Sequence, residues 1–212
     1  APVGRTHLGV VLGSAVGAAV LVGALAVGDS VRFSLRHFAL VRLGKTVSAM
    51  DTGGRFFREA LASHLDGAAP ALRLSGLAVR GDGAARANDV QVLGVDRRFW
   101  SLACEPPALD LGDDQVALNA KLARQLGVGP GDQVVLRFNK PSVVSRDAPL
   151  SVSADYALAL RLDVAAIVDD EAFGRFGLGA NQLPPNNAFL SLGYLQRKVG
   201  LAGKANLLLT TL

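Results

Sequence analysis

Residue types that carry catalysis and metal binding are scarce in this chain of 212 residues, which has one cysteine and three histidines. The single cysteine, Cys104, excludes a disulfide within the chain, and we interpret it as a small core residue rather than a nucleophile. The histidines, His7, His37 and His64, are not spaced from Cys, Asp or Glu as metal ligands are. The sequence therefore predicts no catalytic centre, no metal and no cofactor.

Motifs for esterases and nucleotide binding are lacking as well. No Gly-x-Ser-x-Gly elbow is present. Gly127-x-Gly129-x-Gly131 has a superficial likeness to a phosphate loop. It follows a predicted helix rather than a strand, contains Pro130 and lacks the Lys-Ser/Thr of a Walker sequence. We interpret it as a turn, so any ATP used by this system is bound by another polypeptide.

Charge does not indicate nucleic-acid binding, although the net charge is +4 and the pI is about 9.6. Arg and Lys are scattered singly among Asp, without a dense basic run, and aromatic residues make up only 6% of the chain. Basic residues beside a membrane span account for part of the excess through contact with anionic headgroups. The acidic pairs at 113–114 and 169–171 are interpreted as solvated turns rather than acid–base catalysts.

What the chain does have is a long apolar run. Residues 8–28 carry no charge, and Ser14 is the only polar side chain among them. At about 1.5 Å of rise per residue, this run forms roughly 30 Å of helix, which matches the hydrocarbon core of a bilayer. We predict a transmembrane helix over 1–28, a helical stalk over 29–44 and a water-exposed domain over 45–212. A buried helix of a soluble protein and a signal peptide cleaved after Ala26 are the alternatives.

Small residues recur on one face of the predicted span. Gly9, Gly13 and Gly17 form a double GxxxG pattern, which predicts close packing against another membrane helix. Basic residues are more numerous after the span than before it, and this count alone would place the following domain in the cytoplasm. Asp29 and Ser30 either continue the helix into the stalk or cap a new one, and Gly44 is predicted to end it.

The clearest local pattern covers residues 114–138. It predicts a strand over Val116–Leu118, an N-cap at Asn119, a helix over Ala120–Leu126, a turn and a strand over Gln133–Phe138. Leu122, Ala123 and Leu126 are predicted to face the core. Elsewhere the pattern predicts a strand at 46–50, a helix at 56–65, a hairpin over 70–80 and 86–95, a helical turn at 97–100, a polar loop at 139–155, strands at 158–168 and 188–190, a helix at 192–199 capped by Ser191, and a strand from 207. The fold class is therefore α+β, with one core or two subdomains.

The order of these parts resembles the MacB/FtsX-type ABC transporter permeases, specifically their first transmembrane helix and MacB-like periplasmic core domain. The matching segments are Val90–Trp100, Val116–Arg137, Val164–Asp170 and Leu192–Gln196. The motif positions, which we expect to be mainly structural, are Gly94, Val95, Phe99, Trp100, Asn119, Leu122, Ala123, Leu126, Gly127, Gly131, Asp132, Val134 and Leu136.

The resemblance implies a permease of the cell inner membrane, with a cytoplasmic N-terminus and a periplasmic domain. This orientation is opposite to that from the charge count, and we prefer it. The resemblance further implies three more spans after Leu212, dimerisation with a second permease copy, and an ABC ATP-binding subunit as partner. Other implied contacts are membrane lipid and an extracytoplasmic protein or lipoprotein, with no nucleic acid. ATP-driven motion of the spans would pass along the stalk to the outer domain.

Two other functions are compatible with the residues alone. The chain could be an anchored or secreted binding or scaffold domain that works without an ATPase. An enzyme would require a pocket that gathers Asp169, Arg175, Asn186 and a histidine. The sequence does not identify a cargo.

Overall fold

The computed structural model describes residues 3–139, 157–179 and 183–211, and the chain divides into two units, residues 1–40 and 41–212. Helix α1 covers Val3–Leu43 without a break at Asp29 or Ser30. Within the described residues, Leu8–His37 is long and apolar enough to cross a membrane, with a mean hydropathy of 2.4. Its large apolar side chains are more than half exposed, unlike those of a buried core helix.

The second unit is the α+β domain, which confirms the predicted fold class. Its strands are β1 (Ser48–Asp51), β2 (Phe57–Arg58), β3 (Ala69–Arg80), β4 (Arg86–Val95), β5 (Gln115–Asn119), β6 (Gln133–Asn139), β7 (Ala157–Val168), β8 (Asn186–Ser191), β9 (Lys204–Ala205) and β10 (Leu207–Thr210). Its α-helices are α2 (Arg97–Ser101), α3 (Ala120–Leu126) and α4 (Leu192–Val199). A 3-10 helix covers Glu59–His64, and a π-helical turn covers Asp170–Gly174.

Six of the described strands close into a ring. Their order is β3-β4-β8-β5-β7-β6, and β6 returns to pair with the second half of β3. The first half of β3 pairs instead with β10, so β3 belongs to both the ring and an open extension. Its register shifts between Gly76 and Ala78, where a Cβ on Gly76 would lie 2.4 Å from the Arg137 carbonyl oxygen. The absence of a side chain at Gly76 therefore permits the close approach of β6.

Alternation along the strands divides most of the core into two large clusters, and a third, small cluster contains Ala62, Ala68 and Leu208. In β8, Ala188 and Leu190 face one cluster, while Phe189 faces the other. The first cluster takes side chains from all six ring strands and from α3 and α4. The second contains the aromatic residues of α2 and of the segment after β7. Period-two burial on both faces is typical of strands covered on both sides.

The two strands at the ends of the domain lie side by side. β1 begins five residues after α1 ends and pairs antiparallel with β10, with Ser48 opposite Thr210. The Val47 amide also donates to the Thr210 carbonyl at 2.9 Å. The point where the chain comes from α1 and the point where it leaves β10 therefore meet at one place on the sheet.

Most local predictions are confirmed, and three need correction. The helix predicted at 56–65 is the short strand β2 followed by a 3-10 helix. Ser191 occupies the N-cap position of α4, but its side chain makes no capping hydrogen bond. Cys104 is exposed, because it lies in the bend that follows α2 rather than in an element that faces the core. The polar loop predicted at 139–155 lies outside the described residues except for Asn139, which ends β6.

Candidate functional site at the end of the first helix

The end of α1 is joined to the α+β domain through Gly44. This residue has φ of +54°, and the next amide, of Lys45, donates to the Leu102 carbonyl at 2.8 Å. A Cβ on Gly44 would lie 2.3 Å from that carbonyl oxygen and 2.5 Å from the ring of Phe173. Only glycine fits both the left-handed backbone and this contact. The prediction that Gly44 ends the helix is confirmed.

A second connection runs through Arg42 to the segment after the π-helical turn. We name residues 173–179 the strap. The Arg42 guanidinium donates to the carbonyl of Gly177 at 3.0 Å and to that of Gly179. Lys45 adds a hydrogen bond from its ammonium group to the Ser101 carbonyl at 3.2 Å. Charge-assisted hydrogen bonds of this kind are stronger than neutral ones, so the strap is firmly tied to the helix end.

Two buried asparagines hold the other end of the strap. The side-chain amides of Asn119 and Asn187 each donate to the Gly174 carbonyl at 3.0 Å. Asn187 also donates to the Phe176 carbonyl at 2.8 Å, and Asn119 donates to the Pro185 carbonyl at 2.9 Å. Both side chains are almost fully buried, at 1% and 0% exposure. The strap thus lies between the helix end and the strands that carry these amides.

Asn119 performs two tasks at once. Its Oδ1 accepts a hydrogen bond from the backbone amide of Leu122 at 3.0 Å, which confirms the predicted N-cap of α3. The same oxygen accepts from the backbone amide of Asn187 at 3.2 Å. Its Nδ2 makes the strap contacts. The sequence pattern indicates the cap, but the second task depends on β8, which is remote in sequence.

An aromatic cluster packs beneath the strap. The centroid of the Phe99 ring lies 5.0 Å from that of Phe173, 5.1 Å from that of Phe176 and 5.3 Å from that of Trp100. Phe189 of β8 completes the cluster, with its centroid 5.0 Å from Trp100. Edge-to-face pairs at these separations stabilise a core beyond the area they bury. The two motif aromatics, Phe99 and Trp100, therefore support the strap from below.

The remaining motif residues shape the ring. Leu122, Ala123 and Leu126 are buried as predicted, and Gly127 ends α3 with φ of +64°. Gly94 allows close approach of α4, since a Cβ there would lie 3.0 Å from Leu195 Cδ2. Around the turn, the Gly131 amide donates to the Val164 carbonyl at 2.8 Å, and the Asp132 carboxylate accepts from the Gly129 amide at 2.8 Å. That the motif positions serve structure alone stays a prediction.

Gly9, Gly13 and Gly17 belong to the apolar part of α1. A Cβ on Gly9, Gly13 or Gly17 would meet nothing within 4 Å in the described chain. Their role in helix packing therefore stays a prediction.

The acidic pair at 113–114 lies in an exposed turn, as predicted, and it also contacts α4. Tyr194 donates its hydroxyl hydrogen bond to Asp114 at 2.5 Å, and Arg197 binds both carboxylate oxygens of Asp113 at 2.7 and 2.8 Å. Burial, followed by the hydrogen bond to Asp114, raises the pKa of Tyr194 well above its usual range. These contacts connect α4 to the turn that precedes β5.

An open groove of about 340 Å³ lies beside Trp100, lined also by Arg97, Pro106, Pro107, Leu109 and Asp110. An ion pair of 2.7 Å between Arg97 and Asp110 crosses its rim. Both side chains are more than three-quarters exposed, so this pair contributes little stability. The groove contains no nucleophile and base within hydrogen-bond reach.

The contacts of the residues named in the enzyme hypothesis are with other groups in the described part of the chain. Arg175 pairs with Asp170 at 3.2 Å, whereas Asn186 contacts the Asn88 carbonyl and Gln125. His64 is exposed and contacts the Ala60 carbonyl. Among the described residues, no group of three or more His, Cys, Asp or Glu side chains could hold a metal ion.

Sequence reasoning missed Arg42, Phe173 and Asn187. The run Pro184–Asn187 reads as a turn, yet Asn187 is fully buried at the start of β8. The available signal was its position directly before the apolar residues 188–190, which makes a polar side chain there a candidate for a buried hydrogen-bond donor.

Comparison with known proteins yields structural likeness only. No protein-family model matches the chain, and no curated protein matches it significantly. The periplasmic region of MacB from Actinobacillus actinomycetemcomitans has a TM-score of 0.49 at 12% identity, covering 81% of this chain and 77% of its own. The extracellular domain of the noncanonic ABC-type transporter YknZ from Gram-positive bacteria has a TM-score of 0.45 at 11% identity, and the match covers 77% of this chain and 83% of that domain. A domain assigned to a permease protein from Porphyromonas gingivalis has a TM-score of 0.41 at 10% identity, and the match covers 77% of this chain and 69% of that domain.

The first of these structures is a periplasmic region, the second is an extracellular domain, and the third is a domain of a permease protein. Identities of 12% or lower and TM-scores below 0.5 assign neither a family nor a function to this chain.

Proposed function

We propose that the chain is part of an ABC transporter permease, in which α1 crosses the inner membrane and the α+β domain lies outside the cytoplasm. The observation that carries this proposal is the pairing of β1 with β10, which brings both ends of the domain together. A domain inserted between two membrane helices requires its chain ends at one place, because both ends must lead back to the same bilayer. A domain anchored at one end has no such requirement.

The site at the helix end supplies the mechanical connection that this function needs. Gly44 packs against Leu102 and Phe173, and Arg42 holds two carbonyls of the strap. Movement of the helix end would pull directly on backbone of the domain rather than on a loose linker. We infer that an ABC ATP-binding subunit drives this movement and that the permease acts as a dimer with a second copy.

The proposed coupling can be tested by distance measurement in a lipid nanodisc. The full protein, in a Cys104→Ser background, is co-purified with the ABC ATPase of the same operon and spin-labelled through Leu35→Cys and Arg97→Cys. We expect ATP with vanadate to change the distance between the labels. A pair within the domain, Arg97→Cys with Arg124→Cys, serves as the control and should keep its distance.

The outcomes separate the proposal from its alternative. Co-purification with a nucleotide-dependent distance change supports a coupled permease. If no ATPase binds and both distances stay constant, the coupling proposal fails and an anchored binding or scaffold domain becomes the better description.

A further inference from the structure

The strap begins with a residue in an unfavourable backbone conformation. Three described residues other than glycine have positive φ: Asp89, Asp114 and Phe173. The two aspartates are exposed, and a short polar side chain tolerates this region. Phe173, with φ of +73° and ψ of +8°, is bulky and fully buried. Such a conformation persists only when the surrounding contacts enforce it.

Contacts on both sides enforce the conformation of Phe173. Its ring packs against Phe99 and Phe176 and beneath the position where Gly44 lacks a side chain. Asn119 and Asn187 fix the next carbonyl, that of Gly174. Asn119 and Asn187 belong to strands of the ring, so we expect these two side chains to keep their positions when the helix end moves.

The C-terminal part of the strap is hydrogen-bonded to the helix end by Arg42. The Arg42 guanidinium donates to the carbonyls of both Gly177 and Gly179, and its bond to the Gly179 carbonyl is exposed. Its bonds are therefore the ones that a displacement of the helix end would break first.

We propose that the strap is a conformational switch with two positions. In the attached position, which the structure shows, Arg42 and Gly44 hold Phe173 in the left-handed region. In the released position, the helix end withdraws, Phe173 relaxes to negative φ, and the strap separates from Phe99, Trp100 and Phe189. The inference rests on the proposed function only for the trigger, which is movement of the helix.

Limited trypsin digestion of the full chain in detergent reports the released position directly. The bond after Arg175 lies within the strap, and the next residue, Phe176, is fully buried while the strap is attached. Proteolysis of a protected bond follows the population of its open form. The bond after Arg137, in β6, reports opening of the ring, and mass spectrometry quantifies both.

The first variant removes the hydrogen bonds from the helix end to the strap. We expect Arg42→Ala to accelerate cleavage after Arg175 by about tenfold or more, as the loss of charge-assisted hydrogen bonds implies. Cleavage after Arg137 should stay unchanged. Arg97→Ala removes an arginine from an exposed ion pair outside the strap and should leave both rates unchanged. If Arg42→Ala has no effect after Arg175, or raises both rates in step, the strap does not switch independently and the proposal is wrong.

A pair of variants at Phe173 tests the backbone strain separately. Phe173→Ala and Phe173→Gly both remove the ring, but only glycine adopts positive φ without penalty. We expect the alanine variant to be cleaved after Arg175 about fivefold faster than the glycine variant. Equal rates, or faster cleavage of the glycine variant, would overturn the inference. Neither assay needs nucleotide or an ATPase, so failure here leaves the distance test of the proposed function standing.

Discussion

Asn119 and Asn187 donate hydrogen bonds to the same carbonyl oxygen, that of Gly174, from two adjacent strands of the ring. A backbone carbonyl has two lone pairs, so the two amides satisfy it fully while it is buried. Asn119 also donates to Pro185 and caps α3. A single buried side chain therefore links a helix, a strand and the strap, and its loss should affect all three.

Replacing Asn119 should separate its cap from its strap contacts. We expect Asn119→Ala to lower the free energy of unfolding by about 2–4 kcal/mol, because it removes the cap and leaves the Pro185 carbonyl without this donor. Asn119→Ser retains a capping oxygen and should lose about 1 kcal/mol less. Urea unfolding of the full chain in detergent, followed by fluorescence of the single tryptophan, measures both. Wild-type stability in the serine variant would show that the strap bonds contribute nothing.

Gly44 should tolerate no side chain. Gly44→Ala places a methyl group against the Leu102 carbonyl and the Phe173 ring. We therefore expect it to lower the free energy of unfolding by clearly more than the backbone penalty of about 1 kcal/mol. Gly203→Ala is the matched control, since Gly203 has φ of +67° and open space around its Cβ position. Thermal unfolding of the two variants side by side measures the difference. Equal losses would mean that the close approach at Gly44 is unimportant.

Removing the Tyr194 hydroxyl should change how stability depends on pH. We expect Tyr194→Phe to cost about 1 kcal/mol at neutral pH, through loss of the hydrogen bond to Asp114. Because the pKa of Tyr194 is raised in the folded protein, its contribution is fully present below pH of about 10, the value in the unfolded chain. As pH rises further, this contribution is lost, and the advantage of wild type over the variant should shrink.

Denaturant titrations from pH 7 to 11 follow this change. Asp110→Asn is the comparison, since it breaks the exposed pair with Arg97, which does not act on Tyr194, and should change stability little at any of these pH values. A constant difference between wild type and Tyr194→Phe over the whole range would contradict the shifted pKa.

The single cysteine provides a test of orientation. Cys104 is exposed, so a membrane-impermeant maleimide should label it in spheroplasts if the domain lies outside the cytoplasm. The Cys104→Ser variant, which has no thiol, controls for background labelling. Labelling that requires lysis would place the domain in the cytoplasm, as the count of basic residues alone predicts.

Local signals made much of the domain predictable. The cap at Asn119, the short apolar face of α3 and the glycine after it define a helix within seven residues, and the structure has that helix at Ala120–Leu126. The insertion of β8 between β4 and β5 left no comparable signal, because it depends on pairing between residues nearly 100 positions apart. The strap was missed for the same reason, since the bonds that hold it come from Arg42, Asn119 and Asn187.

The pairing of β1 with β10 also determines how the domain responds to tension. The two chain ends emerge beside the Ser48–Thr210 pair, so a pull that separates them acts across the strands rather than along them. In this geometry the hydrogen bonds between β1 and β10 break one after another, so the force acts on one hydrogen bond at a time. Tension that is not held by the contacts of Arg42 and Gly44 reaches β1 and β10 before it reaches the closed ring of strands, so this outer edge of the sheet parts before the ring does.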